Sequence, residues 1–208
     1  MVNFVAALLA LSVGPALLAG SWTVCVLDDA SLLNAPIRAA VLHEFHWLMR
    51  GHSARLDFDS CPAAAGRVEL SIKPEPPDHL PGILGMARRG GDRIEPRLQV
   101  FYGPLVRHLG EPNNAGAVGR ALARVAAHEA GHFLRQQTHH CKDGLLRAAF
   151  PAHELAARDP WPFRYLPHCR AAPKQAPHPG LLADLGARPL AAQPPQRSEP
   201  EEESPLIR

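Results

Sequence analysis

Two histidines four residues apart, His128 and His132, enclose a glutamate in His128-Glu129-Ala130-Gly131-His132, and this spacing constrains the chain more than any other stretch. On a helix, residues i and i+4 stack on one face, so both imidazoles reach a single point. The preceding residues predict such a helix. Val118, Leu122 and Val125 recur at helical spacing, Ala121, Ala123, Ala126 and Ala127 are strong helix formers, and Asn113 or Asn114 can cap the free amides, giving a helix from about Asn114–Gly116 to Gln137. Two imidazoles on one face can grip one metal ion, with the intervening glutamate turned toward water on that ion. Two ordinary histidines are the poorer account, because a buried imidazole pair beside a carboxylate needs partners to offset its desolvation.

A catalytic zinc site takes three protein ligands and keeps a fourth position open. The chain supplies two candidates just past the helix, His139 and His140, and the residues alone do not choose between them. The arrangement is that of zinc peptidases, and it resembles the metzincins, whose pattern is H-E-x-x-H-x-x-G-x-x-H followed by a methionine turn. The segment His140-Cys141-Lys142-Asp143-Gly144-Leu145-Leu146-Arg147-Ala148 looks like that of short bacterial metzincin-like proteins. Three positions depart from the pattern: Arg135 stands at the glycine, Thr138 at the third histidine and Leu146 at the turn methionine.

The resemblance implies that His128, His132 and His140 bind Zn2+ and that Glu129 is the general base of a zinc-dependent endopeptidase acting on peptide or protein substrates. Leu146 then forms an apolar floor beneath the metal, and leucine for methionine in a packed site usually costs less than about 1.5 kcal/mol. Tyr165, ahead of Tyr102, is the tyrosine placed to help an oxyanion. The alternative is a secreted, degenerate metzincin that keeps its zinc without catalytic turnover; the three departures favour it, and Glu129 argues against it.

The expected fold is α/β (α+β), with a small mixed twisted sheet, a helix after the first strand, the zinc-binding helix and a short C-terminal subdomain. Trp22–Leu27 reads as a strand, Ala35–Arg50 as a helix closed by Gly51, and Arg55–Phe58 and Val68–Ile72 as two short strands. By the resemblance, Gly82–Ala87 leads into an edge strand that holds extended peptide. Leu98–Tyr102 feeds a helical stretch ending at Leu109. The likeness covers Trp22 to Leu155, and its specific motif is the zinc segment.

Residues 1–21 read as a signal peptide: Val2–Ala19 carries no charge, and Ala19-Gly20-Ser21 offers small residues for cleavage. No lysine or arginine precedes Arg38, so an uncleaved anchor is the other reading, though about 18 apolar residues holding Gly14 and Pro15 are marginal for a span. Secretion or a periplasmic location follows. Cys25, Cys61, Cys141 and Cys169 permit three disulfide connectivities. With His140 filling the metal shell, a Cys141–Cys169 brace is preferred over a Cys141 thiolate ligand, which leaves Cys25 with Cys61. The domain is expected over 22–170, and 171–208, with eight prolines and acidic Glu199, Glu201, Glu202 and Glu203, reads as a disordered tail. A net charge of +2 without a basic, aromatic-interleaved patch gives no case for nucleic acid. His43 and His46 read as surface histidines, and His153-Glu154 as part of a structural helix.

Overall fold

The computed structural model describes residues 22–52, 54–61, 66–110 and 113–166. The expected signal peptide and C-terminal tail lie outside the described residues. Strand β1 (Trp22–Leu27) runs into helix α1 (Ala35–Met49) and returns as β2 (Ala54–Asp57), parallel to β1. The entry to α1 is capped twice. Both Asp28 carboxylate oxygens accept backbone amides, from Leu32 at 2.8 Å and Leu33 at 2.9 Å, and Asn34 Oδ1 accepts from the Ile37 amide at 3.0 Å.

Strands β3 (Arg67–Lys73), β4 (Gly85–Gly90) and β5 (Arg93–Phe101) complete a five-stranded mixed sheet of order β2-β1-β3-β5-β4, in which only β4 is antiparallel to its neighbour. Helices α1 and α3 (Ala115–Arg135) cover one face. Burial along β3 therefore alternates, with Val68, Leu70 and Ile72 inside and Arg67, Glu69, Ser71 and Lys73 outside. The mixed α+β architecture is the expected one.

The first half of β5 carries no strand signal in the sequence. Arg93, Glu95, Pro96 and Arg97 lack an apolar alternation, yet the β4–β5 hairpin holds them in the sheet. Pro96 is tolerated because β3 begins to pair at Arg97 and the β4 register is broken between Ala87 and Arg89, so no ladder bond needs its nitrogen. Helix α2 (Tyr102–Leu109) follows directly and closes at Gly110.

Helix α3 is buried nearly all round from Ala117 to Phe133, which its many alanines allow. The Asn114 side chain caps it through the Ala117 amide at 3.0 Å. One charged residue lies in its interior with no local signal to mark it as buried: Arg124, wholly buried, whose Nε lies 2.7 Å from Glu44 Oε1 on α1, with Nη1 donating to the carbonyls of Glu154 and Leu155 and Nη2 to that of Asp159. These bonds tie α1 and α3 to helix α4 (Ala152–Ala156) and the chain after it. His153-Glu154 falls in α4, in keeping with structural duty, and His43 and His46 are exposed on α1.

Cys25 and Cys61 are free thiols, which corrects the expected bridge between them. Cys25 is held mid-strand between Asp57 and Glu69, while a turn whose Asp59 and Ser60 amides bond to Asp57 sets where Cys61 returns. That turn brings the thiols to hydrogen-bonding rather than bonding range; burial, with Cys61 alongside, pushes Cys25 up to about 11. Cys141 is buried and disulfide-bonded, and Cys169 lies outside the described residues. Among the described residues no helix is long and apolar enough to cross a membrane.

Candidate metal centre

The last two turns of α3 place His128 and His132 side by side, with ring centroids 4.7 Å apart. His128 Nδ1 lies 2.7 Å from the Leu145 carbonyl, and His132 Nδ1 lies 2.6 Å from that of Gln137. A carbonyl oxygen only accepts, so each Nδ1 carries the proton and each neutral ring turns a lone pair outward at Nε2. Those two Nε2 atoms are 3.0 Å apart. Two lone pairs at that distance repel unless a cation lies between them.

His140 completes the cluster. Its ring lies 5.5 Å from that of His128 and 5.1 Å from that of His132, and one ligand atom from each of the three falls within 4.8 Å of the others. Tetrahedral zinc, with bonds of 2.0–2.1 Å, separates its ligand nitrogens by about 3.3 Å, so the spacing suits a single ion. His139 is exposed and outside the cluster. Of the two adjacent histidines, His140 is the one that joins the cluster.

A turn carries the loop beneath the site. The Cys141 amide donates to the Leu146 carbonyl at 2.8 Å, Gly144 adopts a left-handed φ of 79°, and the Leu145 amide donates to Arg164 at 3.2 Å. This geometry aims the Leu145 carbonyl at His128. Leu146 is buried, and its Cδ2 lies 2.8 Å from where a Cβ on Gly131 would stand. Leu146 thus packs directly against α3 at Gly131, where a side chain would push its methyl aside.

Glu129 is fully buried, and neither carboxylate oxygen has a hydrogen-bond partner. Burial drives its pKa well above the ordinary 4.5; the Ala87 amide on β4 opposes this but lacks the geometry of a full hydrogen bond to either oxygen. Strand β4 passes directly over it: a Cβ on Gly85 would come within 2.9 Å of Glu129 Oε1 and 2.6 Å of Val125 Cγ1. Burial also holds His128 well below 6.5 and brings His132 to about 4, so both rings are neutral and ready to ligate. An orphaned buried carboxylate beside three converging imidazoles is a donor set that fits a divalent, nitrogen-preferring ion.

Several supports were not visible in the sequence. Gln137 gave no signal that its carbonyl would orient His132. Gln136 takes the left-handed conformation (φ 51°) that ends α3, one residue past the position where the metzincin pattern has glycine. Its side chain bonds the Ile94 amide at 3.0 Å and the Ile94 carbonyl at 3.1 Å, anchoring the helix end to β5. Arg135 donates to the Tyr165 hydroxyl at 2.8 Å and to the Leu166 carbonyl, and the Tyr165 ring lies behind Gly131. Comparison with family models, with curated proteins and with solved structures gives no match, so the reading rests on the site itself.

Proposed function

We propose that this chain is a zinc-dependent endopeptidase of metzincin type. The observation that carries the reading is Glu129, a buried carboxylate without a hydrogen-bond partner, lying between two of three converging histidines and under an edge strand. A purely structural metal site has no use for such a group. His128, His132 and His140 would hold the ion through neutral imidazoles, the first two oriented by the Leu145 and Gln137 carbonyls. When bound, zinc acidifies a water and polarises a carbonyl. Glu129 takes a proton from the attacking water at a carboxylate oxygen and returns it to the leaving amine. An extended substrate would pair with the free edge of β4 beside Gly85 and Ala87 through backbone hydrogen bonds.

One observation favours a second reading, a zinc-binding degenerate metzincin without turnover: Glu129 and His128 are wholly buried in this state. Cleavage of a mixed peptide library by the zinc-loaded chain, with and without chelator and beside Glu129→Gln, decides between them. The peptidase reading expects chelator-sensitive cleavage that Glu129→Gln lacks. Equal behaviour of the two proteins with zinc retained would assign the site to binding alone.

A further inference from the structure

We infer that the peptide paired along the edge of β4 is acidic, read by Arg88 and Arg89 on the outer half of that strand. The inference rests on the peptidase reading for the place where substrate lies and goes beyond it in naming the substrate class. Strand β4 has two unlike halves. Gly85, Met86 and Ala87 are uncharged and at least half-buried, lie in regular register with β5 and pass over Glu129. From Arg88 to Gly90 the strand is exposed, and its register with β5 shifts between Ala87 and Arg89.

The outer half bears a positive surplus. Arg88, Arg89, Arg93 and Arg97 stand on the hairpin against Asp92 and Glu95. Its ion pairs are slack: Arg88 and Arg97 share the single Glu95 at 4.0 and 3.7 Å, and Arg89 reaches the fully exposed Asp92 at 4.0 Å. Arg89 Nε is steadied by the Gly91 carbonyl at 2.9 Å. The Arg88 side chain is 59% exposed.

A chain paired along Gly85–Ala87 must continue past these two arginines, since successive residues advance by about 3.3 Å and Arg89 is two positions beyond Ala87. Side chains of paired strands lie opposite one another on both faces, so each arginine meets a substrate residue whichever way it points. Opposite charges across strands attract and like charges repel. Charges and register breaks also shield an edge strand from stray pairing, and that role predicts no acidic preference.

The test is fluorescence anisotropy of labelled decapeptides on the full chain carrying Glu129→Gln. The peptides are glutamate-rich, uncharged and lysine-rich, and each is measured with zinc and metal-free, because a carboxylate can bind zinc directly. The acidic peptide is expected to bind about five-fold tighter than the uncharged one in both states, as two exposed ion pairs allow, and the lysine-rich one more weakly. Adding Arg88→Ala and Arg89→Ala should erase the difference, with circular dichroism confirming the fold; raising salt on the unsubstituted arginines should shrink it independently. Equal binding of all three peptides, no binding, or an acidic preference that survives the arginine substitutions overturns the inference. Hydrolysis of the uncharged peptide by the unaltered chain reports separately on the peptidase reading.

Discussion

Arg124 and His128 stand one turn apart on α3, both wholly buried, and their surroundings could hardly differ more. Arg124 has every guanidinium nitrogen engaged, by the Glu44 carboxylate and by three carbonyls, and it stacks over Phe163 at 4.3 Å. One turn on, Glu129 has no hydrogen-bond partner, and His128 and His132 turn lone pairs toward each other. A protein tolerates buried polarity when it satisfies that polarity from its own atoms, as at Arg124. Polarity left unsatisfied in the same helix calls for a ligand from outside.

The two buried glutamates make the contrast testable with one substitution. Its largest expected effect is on turnover: Glu129→Gln should lower zinc-dependent cleavage by about 10²- to 10⁴-fold while metal content stays unchanged. Next in size is Glu44→Gln, which leaves Arg124 as an uncompensated buried charge and should cost about 3 kcal/mol in denaturant unfolding. The same exchange at Glu129 should raise the stability of the metal-free chain by about 1–2 kcal/mol at pH 7, since it removes a buried carboxyl that is costly to ionise. A loss at both positions would show that Glu129 is satisfied in solution, and the contrast would fail.

The pH dependence of the metal-free chain sharpens the comparison further. His132 titrates near 4 when folded and near 6.5 when unfolded, so the unfolded state takes up the proton first and stability falls as pH drops through that window. Glu129 acts in the other direction. Its raised pKa lets the unfolded chain lose a proton that the folded chain keeps, so stability falls as pH climbs above 4.5. Unfolding curves of His132→Asn should lose part of the acid-side decline, and those of Glu129→Gln part of the alkaline-side decline. The smallest expected effect is at His139, exposed and outside the cluster: His139→Ala should leave zinc affinity and stability within error, and a large loss there would move the third ligand.

Much of this was legible in the sequence because it is periodic. The helical recurrence of Val118, Leu122 and Val125 and the capping asparagine gave α3, and the four-residue spacing gave the paired imidazoles. The alternation of Val68, Leu70 and Ile72 gave β3. What escaped depends on contacts between distant segments. Glu44 and Arg124 are 80 residues apart, and nothing local marks either as buried. The carbonyls that orient the histidines belong to Leu145 and Gln137, whose side-chain identities say nothing of where their backbones turn. The first half of β5 was hidden because its place in the sheet comes from the hairpin with β4 and from a register break that accommodates Pro96.

The central claim, that His128, His132 and His140 form one metal site, is tested most directly by zinc content. Elemental analysis of the purified full chain after zinc reconstitution at neutral pH, beside His140→Ala and His139→Ala, is the measurement. The account expects about one zinc per chain in the unaltered protein and in His139→Ala, and loss of tight binding in His140→Ala. Less than about 0.2 equivalents in the unaltered protein, or loss confined to His139→Ala, would contradict it.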